Sequence, residues 1–255
     1  MYSDVVWQEE VDVVCTDVGA AGLLCALAAS AGGGEVMVAA QRRHSRTWFE
    51  TLRGDTATTA YTSALVDDID VKKLPEEPAV LPVRPVRPVR PEKSASGGRG
   101  RRTVPPFDGG RLRRWTGECI ASPSGYLYTR VTDWPSSSHV QSADGDLVET
   151  MIADVPAEVI AEPGGLDPWL TALAEQHRLV TEPVDAINRL VFDDSTVVGV
   201  VFDTADGPLA VRVRHGVLVC GPPGVEVPRS TTAAKVALVG RSASRFGRVE
   251  LLTDD

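Results

Sequence analysis

The chain has 255 residues, of which 43% are hydrophobic and 24% charged, and this composition is typical of a globular protein with a substantial core. Its formal net charge of −9 argues against a general nucleic-acid binder, because phosphate contacts need a basic surface. The N-terminus lacks the basic start of a secretory signal, and the longest apolar stretch, 20–31, is shorter than the roughly 20 residues that cross a bilayer. We therefore expect a soluble, cytoplasmic protein without membrane insertion.

The beginning of the chain reads as a strand (about 11–16), a small-residue helix (about 19–31) and a second strand (about 35–39). Both strands are nearly continuous apolar runs, as in parallel sheets that helices cover on both faces. This order predicts a Rossmann-type βα unit, in which glycines let the backbone approach a diphosphate at the helix N-terminus.

The nucleotide-binding fingerprint of that unit departs from its usual form. Residues 17–22 read DVGAAG, so Asp17 stands at the position of the first glycine of G-x-G-x-x-G. The second strand ends in Ala40 and Gln41, where an acidic residue would hold a ribose hydroxyl. The sequence therefore predicts the fold more strongly than the cofactor.

A Pro/Arg-rich segment follows a predicted helix at 57–69, for which Asp55 or Thr56 is the expected cap. Three Val-Arg-Pro triplets within 81–91 predict polyproline II, because proline fixes φ and removes amide donors. Residues 84–114 hold ten Lys or Arg and only two acidic residues. This segment is a solvated linker that lies on the chain's own acidic body, or a docking strap for an acidic partner. Nucleic-acid binding is a distant third reading, because few aromatic rings besides Phe107 are available for base stacking.

The rest of the chain reads mainly as strands, with hairpin turn residues between those of an antiparallel meander. The predicted elements are a strand at 125–131, a helix at 166–179, meander strands at 186–192, 197–203 and 209–214, a buried strand at 216–221 that ends in glycine, and two last strands at about 235–239 and 246–252.

These elements predict an α/β protein with a Rossmann-like fold, a parallel sheet, a β-meander and a small inserted antiparallel portion. Four regions are expected. They are a first part of the Rossmann-like domain at 1–74, a basic linker at 75–106, the inserted portion at 107–163, and the second part of the domain with the meander at 164–255.

Two stretches carry a resemblance to a known family. Val11–Gly22 and Gly164–Gly221 follow the order of flavoproteins of the fumarate reductase, succinate dehydrogenase and 3-ketosteroid dehydrogenase type. The second stretch looks like that family's helix, adenine-side strand, meander and Ala-Thr-Gly strand end. The resemblance implies an FAD/NAD(P)-binding fold and covers a little under a third of the chain.

By that resemblance, Gly19 and Gly22 would lie beside the FAD pyrophosphate, and the backbone of Val184 would face the adenine. The implied cofactor-binding positions are Asp17, Gly19, Ala20, Gly22, Ala40, Val184, Cys220 and Gly221. Three of them depart from the family pattern, since Asp17 replaces a glycine, Ala40 (or Gln41) the ribose-binding acid, and Cys220 a threonine. The substrate cap and the C-terminal flavin-gripping segment of the family have no counterpart after Gly221.

Asp17 would repel a diphosphate, whereas a carboxylate beside a helix N-terminus is favourable. We therefore expect Asp17 to occupy the anion site itself, which would make the cofactor positions vestigial. In the alternative, Asp17 points to solvent and the remaining glycines hold FAD.

Catalytic and metal-binding residues are not apparent, because the four histidines are isolated and the four cysteines are scattered and typical of core positions. Our leading hypothesis is a degenerate flavoprotein-like subunit with no activity of its own. It would be a structural or regulatory partner of another protein subunit, contacted through 82–114 or near Trp115. The alternatives are an FAD-dependent oxidoreductase of reduced size, or one completed by a second chain, and a binding module for another nucleotide or small metabolite.

Overall fold

The computed structural model describes residues 5–42, 48–52, 54–75, 77–88, 109–130, 138–142, 147–162, 164–228, 235–241 and 244–254. In chain order its elements are β1 (Glu9–Cys15), α1 (Ala20–Ala31), β2 (Val36–Gln41), a 3₁₀ helix (Trp48–Leu52), α2 (Thr56–Leu65), a 3₁₀ turn (Val71–Lys73), β3 (Val83–Pro88), α3 (Gly109–Ala121), β4 (Gly125–Tyr128), β5 (Ser138–Ser142), β6 (Leu147–Asp154), α4 (Ala157–Ala161), α5 (Leu166–Gln176), β7 (Val180–Val184), β8 (Ala186–Asp193), β9 (Thr196–Thr204), β10 (Gly207–Cys220), β11 (Lys235–Gly240) and β12 (Phe246–Asp254).

Four parallel strands form the part of the sheet that carries the predicted nucleotide turn. Their order is β7-β2-β1-β10, and each neighbouring pair is parallel. Alternate residues of these strands enter two different apolar clusters. Val13 and Cys15 belong to the cluster that includes α1 and α5, and Val14 to the cluster that includes α3 and the meander. Both faces of β1, β2 and the second half of β10 are therefore buried, as their apolar runs predict, whereas the edge strand β7 is mostly exposed.

Five further strands pair in a closed ring. Strand β12 pairs with β11 and β3, and the ring closes through β6 and β5. Strand β4 joins the ring to the parallel strands, because it pairs with both β12 and β10. The ring draws its strands from three of the four predicted regions. The division of the chain at residues 74, 106 and 163 remains a prediction.

The antiparallel meander is confirmed as β8, β9 and the first half of β10. The prediction of two separate strands at 209–214 and 216–221 is wrong, because β10 runs without a break from Gly207 to Cys220. Gly216 lies within it at φ 142°, a backbone conformation that favours glycine. The single strand thus carries the chain from the meander directly into the parallel core.

The polyproline II prediction is wrong for Val83–Pro88, which form β3. This strand pairs in parallel with β12 and antiparallel with β5. Polyproline II and extended strand differ little in φ and ψ, so hydrogen-bonding partners decide between them. The rest of the predicted segment, 89–108, lies outside the described residues.

The sequence thus correctly predicts a mixed α/β protein, and the helix capped by Asp55 is confirmed, since the Asp55 carboxylate accepts a hydrogen bond from the Thr58 amide at 2.9 Å. The Rossmann-like assignment remains a prediction. Within the described ranges, no helix combines the length and the apolar character that a bilayer crossing requires.

Candidate functional site

The turn between β1 and α1 lies at the carboxyl edge of the parallel strands. Strand β1 ends at Cys15 and α1 begins at Ala20 with Gly19 as its N-cap residue. Ala20 and Gly22 are both buried. The helix N-terminus therefore lies at the edge where open α/β sheets bind ligands.

The two glycines of the turn are held close to the chain's own backbone. A Cβ atom on Gly19 would lie 2.2 Å from the carbonyl oxygen of Gly221 and 2.7 Å from that of Pro222. A Cβ atom on Gly22 would lie 2.0 Å from the carbonyl oxygen of Asp17. Both positions require glycine because of contacts within the protein. Gly221 and Pro222, which directly follow β10, thus lie against the turn.

Asp17 is only 1% exposed, so the alternative in which its side chain points to solvent is wrong. Its carboxylate accepts a hydrogen bond from the Val18 amide at 2.8 Å. The turn therefore holds a buried acidic side chain at the position of the first glycine of the fingerprint.

The end of β2 lies beside the same turn. Gln41 is buried, and its side-chain amide donates a hydrogen bond to the carbonyl oxygen of Thr16 at 2.7 Å. Ala40 is half-buried and offers no hydrogen-bonding side chain. At the expected ribose-binding position the structure thus has an alanine and a glutamine, and the glutamine amide is already hydrogen-bonded to the turn that follows β1.

Val184, at the end of β7, is fully buried, and its carbonyl oxygen accepts a hydrogen bond from the Arg42 amide at 2.9 Å. The Arg42 guanidinium lies 3.4 Å from the carboxylate of Asp185. The backbone group expected to face an adenine is therefore hydrogen-bonded to the residue that follows β2.

Cys220 closes the turn from the β10 side. Its amide donates to the Thr16 hydroxyl at 3.2 Å, and its thiol donates to the Asp17 carbonyl oxygen at 3.6 Å. Burial raises the pKa of the Cys220 thiol well above its ordinary value, and a hydrogen bond from the Cys15 thiol to Cys25 together with burial does the same for the pKa of Cys15. These thiols therefore remain protonated and act as packing groups.

Beyond Gly221, the sequence did not point to the segment that follows β10. Pro222 and Gly221 cover Gly19, and the amide of Gly224 donates to the Asp167 carboxylate at 2.6 Å. Asp167 lies in the first turn of α5, so this helix holds the segment in place. The Pro-Pro-Gly sequence at 222–224 was the available signal, since it fixes a turn at the end of the buried strand.

Trp115 is only 1% exposed, so its own ring offers no contact surface, and a partner contact in the region around it stays a prediction. Its indole N–H donates to the Phe246 carbonyl oxygen at 2.9 Å, and the guanidinium groups of Arg241 and Arg248 lie over its ring. Among the described residues, no three His, Cys, Asp or Glu side chains are placed to bind a metal ion.

No protein-family model and no curated protein sequence matches this chain. Among solved structures it is similar to a 3-ketosteroid-Δ4-(5α)-dehydrogenase from Rhodococcus jostii RHA1, with 17% identity, a TM-score of 0.35 and coverage of 84% of this chain and 46% of that chain. A flavocytochrome c3 fumarate reductase matches with 14% identity, a TM-score of 0.32 and coverage of 82% and 33%. Mycobacterium smegmatis Sdh1 matches with 12% identity and a TM-score of 0.31, and the match covers 82% of this chain and 33% of that chain.

The chain thus spans less than half the length of each of these three proteins. Two of the three bear the enzyme names of the family that the sequence resembles. At these identities and TM-scores, the likeness does not establish a shared fold, cofactor or activity.

Proposed function

We propose that this chain is a flavoprotein-like protein whose dinucleotide site is closed by its own residues, and that it serves as a structural or regulatory partner of another protein. The strand order β7-β2-β1-β10 supports the FAD/NAD(P)-binding type of fold, because in that order the first βα turn meets the diphosphate. One observation carries the proposal. The space against Gly19 is filled by the carbonyl groups of Gly221 and Pro222.

The groups at this turn do not fit a diphosphate. The buried Asp17 carboxylate is acidic, and the two carbonyl oxygens beside Gly19 carry partial negative charge, so all three groups would oppose a diphosphate bound at this turn. Two unit charges about 4 Å apart repel each other by about 4 kcal/mol at an effective dielectric constant of about 20. That repulsion alone lowers affinity by nearly three powers of ten.

The ribose position weakens binding further. The Ala40 side chain cannot form a hydrogen bond, and the side-chain amide of Gln41 is hydrogen-bonded to the carbonyl oxygen of Thr16. An unmade hydrogen bond costs about 1–3 kcal/mol when the polar group is buried. We therefore expect that the protein neither retains FAD nor catalyses flavin chemistry alone.

The test is the flavin content of the purified protein, measured by its absorption spectrum and by chromatography of the heat-released cofactor. We expect no flavin, and no saturable binding when FAD is titrated in. The double variant Asp17→Gly/Gln41→Glu removes the acidic group at the turn and supplies a ribose-binding acid, so it should bind FAD weakly, and short of stoichiometric retention because the carbonyl groups of Gly221 and Pro222 remain against Gly19. Asp55→Gly is the matched control, since it removes a carboxylate at the N-cap of another helix at a cost of only a few tenths of a kcal/mol. Near-stoichiometric FAD in the unaltered protein would overturn the proposal.

The partner role rests on the basic segment 82–114. Part of its charge is bound internally, because Arg84 forms a two-point ion pair with Glu250 and Arg113 lies 3.7 Å from Asp68. The remaining basic residues of the segment would contact an acidic partner. Size-exclusion chromatography and native mass spectrometry of the protein isolated from its own cells should reveal a complex, and a monomer alone would refute this role.

A second candidate is an FAD-dependent oxidoreductase of reduced size, or one completed by a second chain. It is favoured by Gly19 and Gly22, which keep the fingerprint spacing at a helix N-terminus. The flavin measurement separates the two candidates, because this enzyme would contain bound FAD.

A further inference from the structure

A cavity of about 470 Å³ lies beside the closed turn and has no role in the proposed function. Its walls come from the 3₁₀ helix, the segment 71–79, the C-terminal end of α3 and the segment 222–225. None of its lining residues belongs to the βα turn at 17–22. We propose that this cavity binds a small apolar organic amine, with the ammonium group at Glu77 and the hydrocarbon part against the inner wall.

The inner wall is apolar and well fixed. Its hydrophobic side chains include Leu74, Ile120 and Val225, and Trp48 contributes its indole ring. The Trp48 N–H donates to the carbonyl oxygens of Cys119 and Ser122, at 3.3 and 3.1 Å, which orients the ring. Preformed pockets of about 300–1,000 Å³ with such walls suit small organic ligands.

The wall also offers few hydrogen-bond donors to an anionic ligand. Four of its residues are prolines, which have no backbone N–H, namely Pro75, Pro123, Pro222 and Pro223. The Gly224 amide is already donated to Asp167. A carboxylate or phosphate in this cavity would therefore find little to replace its lost hydration.

The charge of the cavity is negative. Among the described residues, Glu77 is the only ionisable one in the lining, it is half-buried, and its side chain makes no ion pair or hydrogen bond with the rest of the described chain. Helix α3 ends here with Ile120 and Ala121, and the C-terminus of a helix carries a partial negative charge. Both features favour a cation.

The nearby basic side chains do not neutralise Glu77. Lys73 and Arg113 line only an adjoining cavity of about 460 Å³, and they pair with Asp70 and Asp68. Arg114 also lines that adjoining cavity and not the apolar one. Glu77 lines both cavities, but among the described residues it forms no ion pair, and no described basic side chain belongs to the lining of the apolar cavity.

The experiment compares three probes with similar carbon skeletons, 2-phenylethylamine, 2-phenylethanol and 3-phenylpropionate, by calorimetric titration of the full chain. We expect the amine to bind most tightly, the alcohol more weakly, and the carboxylate least. Glu77→Gln should weaken amine binding about tenfold and leave the alcohol unchanged, because it removes a charge-assisted hydrogen bond. Glu226→Gln is the matched control, since Glu226 is exposed and does not line the cavity.

A second variant tests whether the probes bind in this cavity, independently of the charge at Glu77. Ala121→Phe should fill the cavity and reduce the binding of both amine and alcohol, while circular dichroism and the melting temperature report that the protein is folded. Equal affinity for the three probes, no amine binding, or amine binding that neither Glu77→Gln nor Ala121→Phe weakens would overturn the proposal. The flavin content does not enter these outcomes, so the inference and the proposed function fail separately.

Discussion

Gly22 lies in the first turn of α1, so close to the turn after β1 and to the end of β10 that no room is left for a side chain. A Cβ atom there would be 2.0 Å from the Asp17 carbonyl oxygen and 3.1 Å from the Cys220 sulfur. Gly117, in the middle of α3, has a very different environment, because its nearest neighbour would be a methyl carbon of Leu74 at 3.4 Å. Close packing therefore requires glycine at position 22, whereas the space around position 117 accepts a methyl group.

We predict that Gly22→Ala and Gly117→Ala change stability in opposite directions. Overpacking at Gly22 should lower the free energy of unfolding by about 1–3 kcal/mol. At Gly117 the added methyl group fits, and alanine should raise the free energy of unfolding by about 0.5–1 kcal/mol through its higher helix propensity. Urea denaturation of both variants checks this. Equal effects at the two positions would contradict the close packing of α1 on the turn.

At the scale of elements, an ion-pair network joins β3 to β12. Glu250 on β12 is fully buried and binds Arg84 on β3 through both carboxylate oxygens. Arg248 donates to the same carboxylate at 2.7 Å and stacks on Trp115 of α3. The Pro-rich strand is thus fixed by a buried charge as well as by backbone pairing.

We predict that Glu250→Ala lowers the free energy of unfolding by about 3–5 kcal/mol, because the positive charges of Arg84 and Arg248 lose their buried counterion. Arg214→Ala serves as the comparison. Arg214 also contacts several carboxylates, those of Glu10, Asp12 and Glu35, but the cluster is exposed to solvent, so its loss should destabilise the protein far less than the loss of Glu250. Chemical denaturation of both variants under the same conditions gives the two values. Comparable losses would show that the Glu250 network is not a buried charge site.

At the scale of the whole molecule, the sequence predicts what depends on local pattern. Strands β1 and β2, the buried end of β10, α1 and the meander follow from apolar periodicity and turn residues, whereas β7 carries no such pattern and was implied only by the family resemblance. The closed ring does not, because β3, β6 and β12 are far apart in sequence and their pairing leaves no local signal. Helix α3 was missed since its Gly-Gly-Arg start and three arginines hide its apolar face.

The candidate site divides in the same way. The fingerprint spacing identifies Asp17, Gly19 and Gly22 from sequence alone. That Gly221 and Pro222 cover Gly19 depends on where β10 delivers the chain, which is a long-range property. The burial of Glu250 was equally hidden, because its partner Arg84 belongs to a segment whose composition is that of a solvated linker.

The ionisation of two aspartates, Asp12 and Asp167, makes the stability of the fold depend on pH in opposite directions. The hydrogen bond from Arg214 lowers the pKa of Asp12 below its ordinary value of 3.8, whereas burial raises the pKa of Asp167 above 3.8 in spite of the Gly224 amide. Asp12 therefore contributes stability that is present above pH 3.8 and is lost as the pH falls through its folded-state pKa. Asp167 binds its proton more tightly in the folded state, so its contribution falls as the pH rises from 3.8 through its raised pKa.

We predict that the two isosteric variants diverge in urea denaturation measured from acidic to neutral pH. Relative to the unaltered protein, Asp12→Asn should become less stable as the pH rises toward and past 3.8, because it lacks the ionised partner of Arg214. Asp167→Asn should gain relative stability as the pH rises above 3.8, because an amide has no ionisation to oppose and its oxygen can still accept from Gly224. A loss of stability at neutral pH in Asp167→Asn would mean that the charge on Asp167 is what holds the segment over Gly19. In that case acidification, rather than mutation of the fingerprint, would be the way to open the turn.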